Sequence, residues 1–335
     1  MAMLEQALVF DGSQGPMVGI LARPVTDCRA AVLIVAGQPQ TRVGAHRMFT
    51  DLARELAAQG VASLRFDVGG WGDSPGEAQA FEQSDRDIAA AASVLRTALP
   101  GATKLWLWGL CDGASAAVLA LPAVRAAGVT PDAVCLVNPW VRSEASLAAA
   151  MVKTYYLKRL MQGEFWGRLL TGRIPIANLV HEPLRHLRAR FGGGKPGGSE
   201  GAAGTPAGAG SAGEGGADGA MGAVGTVGAA GTVGAADALP AQATAANAAE
   251  ASTGPDLPEQ LLAQLSAYRG AVYTVLSGND LTAAETDALM SRDKRWRKRL
   301  DRKGAILRVP GADHTFSDPD HWAAVIRWVG EKARG

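Results

Sequence analysis

Short, nearly unbroken apolar runs alternate with amphipathic stretches along most of the chain. Runs at 31–36, 61–67, 104–108, 133–137, 271–277 and 305–309 are rich in Val, Ile, Leu and Trp. Each is too short for a buried helix and reads as a strand covered on both faces. Between them, 49–59 and 85–99 carry the 3.6-residue spacing of helices that lay one apolar face on a sheet, small residues at 114–120 suit a closely packed helix, and a further helix ends the chain. Two leading segments, 7–10 and 18–22, flank a turn-rich connection and read as an antiparallel hairpin. The pattern predicts an α/β protein: an eight-stranded, mostly parallel sheet with helices on both faces.

Two regions interrupt this alternation and divide the chain. From 140 to 191, Tyr155, Tyr156, Phe165 and Trp166 stand among basic residues, a composition that predicts a helical cap inserted at a strand end, where specificity tends to reside. From 192 to 254, glycine and alanine dominate. Such a tract buries too little apolar surface to offset its ordering entropy, so it is expected to be a disordered linker. Closing a longer loop costs only about 0.6 kcal/mol per doubling, which a core can tolerate. Residues 1–139 and 255–335 are then the two parts of one core.

A net charge of +1 over 335 residues leaves no electrostatic footprint for nucleic acid or an anionic membrane surface. The three cysteines, Cys28, Cys111 and Cys135, have no Cys-x-x-Cys spacing, so neither a disulfide framework nor a zinc site is expected, and no cofactor is called for. Outside the weakly hydrophobic glycine-alanine tract no apolar run is long enough for a membrane span. Residues 1–6 lack a basic segment leading into an apolar core, so the expected location is cytoplasmic.

The candidate chemistry begins at Gly109-Leu110-Cys111-Asp112-Gly113. It lies between a predicted strand and a predicted helix, and so resembles the nucleophile elbow Gly-x-Ser-x-Gly of α/β-hydrolases with a thiol in the serine position. An acid and a histidine follow in the chain order of that fold. Asp280 lies past the strand at 271–277, and His314 lies in the loop 310–316 after the strand at 305–309. Strand ends of an open α/β sheet form its ligand crevice, so Cys111, Asp280 and His314 are predicted to converge as a triad. A free thiol has a pKa of about 8.5, which an adjacent imidazole and a helix start both lower. The histidine takes the thiol proton and later activates water, and the aspartate fixes its tautomer. The backbone N–H groups of Asp112 and of Gln38, where the strand 31–36 breaks at glycine and proline, are the expected oxyanion donors.

His46 and Arg47, just past the same strand, and Trp140 and Arg142, where the chain leaves the sheet for the cap, are candidate substrate contacts. Arg142 and Glu144 are also placed to form a loop-ordering ion pair. Asp313 is the rival to Asp280 as orienting acid. His181, His186 and His321 sit at no predicted strand end, and Cys28 and Cys135 read as inert. The basic run 292–302, interrupted by Asp293 and Asp301, reads as a solvated helix face rather than a nucleic-acid contact.

The elbow with Ala114 and Ser115, the stretch Asn138-Pro139-Trp140-Val141-Arg142-Ser143-Glu144, Arg65-Phe66-Asp67 with Gly72, Asp73, Ser74 and Gly76, and Gly44-Ala45-His46-Arg47 resemble the exosortase A system-associated hydrolase 1 family. The elbow is also similar to that of dienelactone hydrolases, although Ala114 stands where they carry a second glycine. The resemblance implies an α/β-hydrolase fold, a small-molecule or acyl substrate, and a functional link to exosortase and exopolysaccharide components. The expected activity is cleavage of an ester or thioester through an acyl-enzyme. The alternative is an acyltransferase or a non-catalytic binding protein on the same fold.

Overall fold

The computed structural model describes residues 2–26, 28, 30–102, 104–142 and 256–335. The cap and linker expected at 140–191 and 192–254 lie outside them from residue 143 onward, with Glu144, Tyr155, Tyr156, Phe165, Trp166, His181 and His186.

Eight strands form one sheet: β1 Met3–Asp11, β2 Pro16–Pro24, β3 Ala30–Val35, β4 Val61–Phe66, β5 Lys104–Leu110, β6 Ala133–Val137, β7 Ala271–Ser277 and β8 Ile306–Val309. Their order across the sheet is β1-β2-β4-β3-β5-β6-β7-β8. β1, β2 and β4 pair antiparallel, with Val9 opposite Val18, and every other pairing is parallel. The hairpin strands are longer than the apolar pattern suggests. On the open edge, Glu5 and Gln6 stand side by side in β1 and interrupt its apolar pattern.

Alternate residues of each central strand feed two cores. Leu33, Val35, Leu105 and Leu107 point to one face, covered by α2 (Asp85–Ala98), α3 (Asp112–Leu119), α4 (Leu121–Ala126) and α5 (Leu257–Ala267). Val32, Ile34, Trp106 and Trp108 point to the other, covered by α1 (Met48–Ala58) and α8 (Pro319–Arg334). On that second face the Trp108 ring takes edge contacts from Phe49 at 5.7 Å and from Trp322 at 6.3 Å between centroids. It is fully buried, and truncating such a side chain typically costs about 3–5 kcal/mol.

The basic run is split. α6 (Leu281–Arg292) stops at Asp293, whose carboxylate accepts the Arg295 N–H at 2.8 Å and starts α7 (Lys294–Leu300). Trp296 and Leu300 turn inward, while Arg295 stays exposed and pairs with Glu259 at 2.7 Å. Arg292, Arg297 and Arg299 instead donate to the backbone carbonyls of Ala288, Met290 and Tyr268. Among the described residues no helix is long and apolar enough to cross a membrane.

Parallel pairing puts the C-terminal ends of β3, β5, β6, β7 and β8 on one edge of the sheet. Gln38, Cys111, Asn138, Asp280 and His314 all follow these ends.

Candidate active site

β5 delivers Cys111 into a turn so tight that its backbone sits at φ 59°, ψ −124° before α3 begins. Few side chains accept this conformation, and it stores about 1–3 kcal/mol that the surrounding packing must hold. The flanking glycines explain how the turn closes. A Cβ on Gly109 would stand 2.6 Å from the Ala114 nitrogen, and one on Gly113 would stand 2.8 Å from the Gly37 nitrogen. The Cys111 carbonyl accepts N–H bonds from Ala114 at 3.1 Å and Trp140 at 3.1 Å, which anchors the turn on both sides.

His314 and Asp280 meet beside this turn. His314 Nδ1 lies 3.0 Å from Asp280 Oδ1, and the Cys111 side chain is the second group acting on the ring. The Asp280 bond, followed by the Cys111 side chain, holds the imidazolium so well that its pKa is pushed up to about 10 despite partial burial. For Asp280, burial works to raise the pKa, but the bonds from His314 and from the Ala283 N–H outweigh it and hold the carboxyl below its ordinary range. Its second oxygen, Oδ2, accepts that N–H at 2.9 Å, so the same side chain caps α6. A capping carboxylate has little rotational freedom, which fixes the aim of the imidazole. The rival acid, Asp313, turns instead to the N–H and hydroxyl of Ser317.

The Gln38 and Asp112 amides, expected as donors to an incoming oxyanion, already face an anion. Gln38 N–H donates to Asp112 Oδ2 at 2.9 Å and Gly113 N–H to Asp112 Oδ1 at 3.1 Å. The N–H of Asp112 itself faces the same carboxylate. Asp112 Oδ1 fills the space that a side chain on Gly37 would take. Burial pushes this carboxyl up, against the N–H donors that hold it down. The sequence suggested the amide positions but not that the intervening side chain folds back onto them.

Two supports have no local signal in the sequence. Asn138, fully buried at φ 43°, donates through Nδ2 to Ser277 Oγ at 2.8 Å and to the His314 carbonyl at 3.0 Å, and accepts the Ser277 N–H at 2.9 Å. Ser277 Oγ in turn donates to the Asp313 carbonyl at 2.8 Å. The histidine loop is thereby fastened to the ends of β6 and β7. On the other flank the buried Asp67 carboxylate accepts the Arg42 N–H at 2.6 Å, the Arg42 guanidinium, and the Asp73 N–H at 3.0 Å. This cluster steadies the loop that carries Gln38.

Of the candidate substrate contacts, His46 and Arg47 adopt left-handed backbone conformations, at φ 39° and φ 68°. His46 Nε2 lies 3.0 Å from the Thr315 carbonyl, next to His314. Arg142 pairs with Glu285 on α6 at 2.6 Å; the pairing expected with Glu144 falls outside the described residues. Its guanidinium lies 4.3 Å from the centre of the Trp140 ring, and the Trp140 carbonyl accepts Ser115 Oγ at 2.6 Å. Cys135 is fully buried in β6, which raises its thiol pKa far above the ordinary range and leaves it unreactive. Among the described residues no three His, Cys, Asp or Glu side chains gather as a metal site.

Comparison with known proteins agrees with this geometry at the level of the fold. A family model described as serine aminopeptidase, S33, matches residues 26–185, whereas the elbow of this chain holds Cys111. No curated protein matches the chain. Two crystal forms of the esterase Pf2001 from Pyrococcus furiosus superpose with TM-scores of 0.53 and 0.56. They are 11% and 13% identical, and the alignments cover 99% of this chain and 94% and 92% of theirs. A putative hydrolase from Agrobacterium vitis S4 gives 0.50 at 14% identity, covering 99% and 100%. With its strand order, its elbow and its helices on both faces, the chain has the α/β-hydrolase fold.

Proposed function

We propose that the protein is a cysteine-dependent hydrolase that cleaves an ester or thioester through an acyl-enzyme. The observation that carries this reading is the His314 ring, paired with Asp280 at 3.0 Å and acted on by the Cys111 side chain at the strained turn. In the first half-reaction, the Cys111 thiolate adds to the acyl carbon while His314 holds the proton. The tetrahedral oxyanion turns to the Gln38 and Asp112 amides, and His314 returns the proton to the departing alcohol or thiol. Water then attacks the thioester, activated by His314 as base, and frees the acid and the thiol. Asp280 acts on the ring, fixing its orientation and stabilising its charged form.

His46, Arg47, Trp140 and Arg142 border this edge of the sheet and are the proposed substrate contacts. The resemblance of the elbow and of the segment from Asn138 to the exosortase-associated hydrolases supports a substrate drawn from that exopolysaccharide system, and a cytoplasmic place of action. The test uses Cys111→Ala and His314→Ala with a short-chain p-nitrophenyl ester. Each variant is expected to fold and to lose turnover, and turnover retained by either overturns the reading.

A further inference from the structure

We propose that Asp112 is a carboxylate gate: it occupies the anion-binding amides beside Cys111 and confines the site to substrates whose own contacts displace it. The inference rests on the reading of Cys111 as nucleophile and adds a residue that sets its specificity.

The placement is built, not incidental. Gln38 N–H at 2.9 Å and Gly113 N–H at 3.1 Å each hold one oxygen of the carboxylate. The Asp112 amide faces it too, and Gly37 leaves the room it needs. Gly113 lies in the first turn of α3, and Gln38 lies in the loop after β3, which the Arg42–Asp67 cluster holds independently of the Asp112 carboxylate. When the Cys111 thiolate adds to a carbonyl, the C–S bond forms and the carbonyl π pair moves to oxygen. That oxygen needs the same amides. Two anions cannot share them, so the Asp112 side chain must rotate away before or during addition. A site that is open only a fraction of the time binds its ligand more weakly by that fraction. Small, weakly held esters therefore meet a mostly closed site, whereas a larger acyl group supplies the contacts that open it.

The probe is 13C-labelled acetaldehyde, which adds to Cys111 as a hemithioacetal: the C–S bond forms, and the new oxygen takes the thiol proton or remains in the anion site. Its affinity is read by NMR for the parent chain, Asp112→Ala and Asp112→Asn, alongside kcat/KM for p-nitrophenyl acetate. If the gate is open about a tenth of the time or less, Asp112→Ala gains about tenfold or more in both measurements. Asp112→Asn gains less, because its amide oxygen still accepts the Gln38 N–H. Unchanged or weaker aldehyde affinity in Asp112→Ala overturns the gate. So do equal gains in both variants, which would place the effect in the lost charge and not in occupancy. Iodoacetamide labelling of Cys111 in each variant reports an intact pocket. The aldehyde needs no turnover, so this arm still judges the gate if ester cleavage proves to occur elsewhere.

Discussion

Asn138 reaches across 176 positions of sequence to donate its Nδ2 hydrogen to the carbonyl of His314 at 3.0 Å. The imidazole is aimed by its ion pair with Asp280, but the backbone that carries it is held by this bond and by the Ser277 relay. Asn138→Ala would leave the Ser277 N–H and the His314 carbonyl short of partners in a buried site. We expect a loss of about 2–3 kcal/mol in urea unfolding, together with a fall in kcat that is larger than the change in KM. Unaltered kcat would mean that the loop holds itself.

The Asp280–His314 pair dictates a pH signature. The folded His314 pKa, about 10, stands above the ordinary 6.5. Its stabilisation is whole below 6.5 and disappears as pH rises through about 10. Asp280 is lowered from 3.8, so its share is present above that value and is lost as pH falls through the lower folded one. In Asp280→Asn the His314 ring, followed by NMR, should titrate closer to 6.5, and the alkaline limb of the pH–rate profile should move down with it. A ring that titrates as before would assign the shift to Cys111 alone.

Because Asp280 also caps α6, its two roles separate by substitution. Asparagine remains an N-cap, whereas alanine does not, so Asp280→Ala should be less stable than Asp280→Asn by about 1 kcal/mol. Thermal unfolding of the two variants at pH 5 checks this. Equal stability would remove the capping role.

Arg42→Ala tests the clamp on the opposite flank. Asp67 would keep the amides of Arg42 and Asp73 but lose its only guanidinium among the described residues. The arginine is partly exposed, so solvent screens the pair, and the expected loss is about 1–3 kcal/mol, below that of a fully buried pair. The same variant should bind the aldehyde adduct less well, since the loop bearing Gln38 slackens.

Much of this architecture was legible because burial on both faces leaves a local mark. The runs at 31–36, 61–67 and 133–137 fall within a residue of β3, β4 and β6. The elbow was readable because Gly109 and Gly113 flank Cys111 in a recognisable five-residue pattern, although only the Gly109 contact is local and Gly113 answers to the backbone of Val35 and Gly37. β1 was cut short because Glu5 and Gln6 interrupt the apolar run on its exposed edge. What stayed hidden were the tertiary pairings outside the elbow pattern: Asn138 with the histidine loop, Arg42 with Asp67, and Arg142 with Glu285. The direction of the Asp112 side chain was hidden for a different reason. A residue letter marks the donor amide, but it does not say where the attached carboxylate comes to rest.

The bond from the Trp140 N–H to the Cys111 carbonyl gives the elbow a mechanical role. The strand end that leads toward residue 143 is tethered to the peptide unit of the nucleophile itself, and Ser115 and Glu285 tie down the next two links. A pull on that exit is therefore shared between the sulfur's own backbone, one hydrogen bond away, and the two helices that carry Ser115 and Glu285.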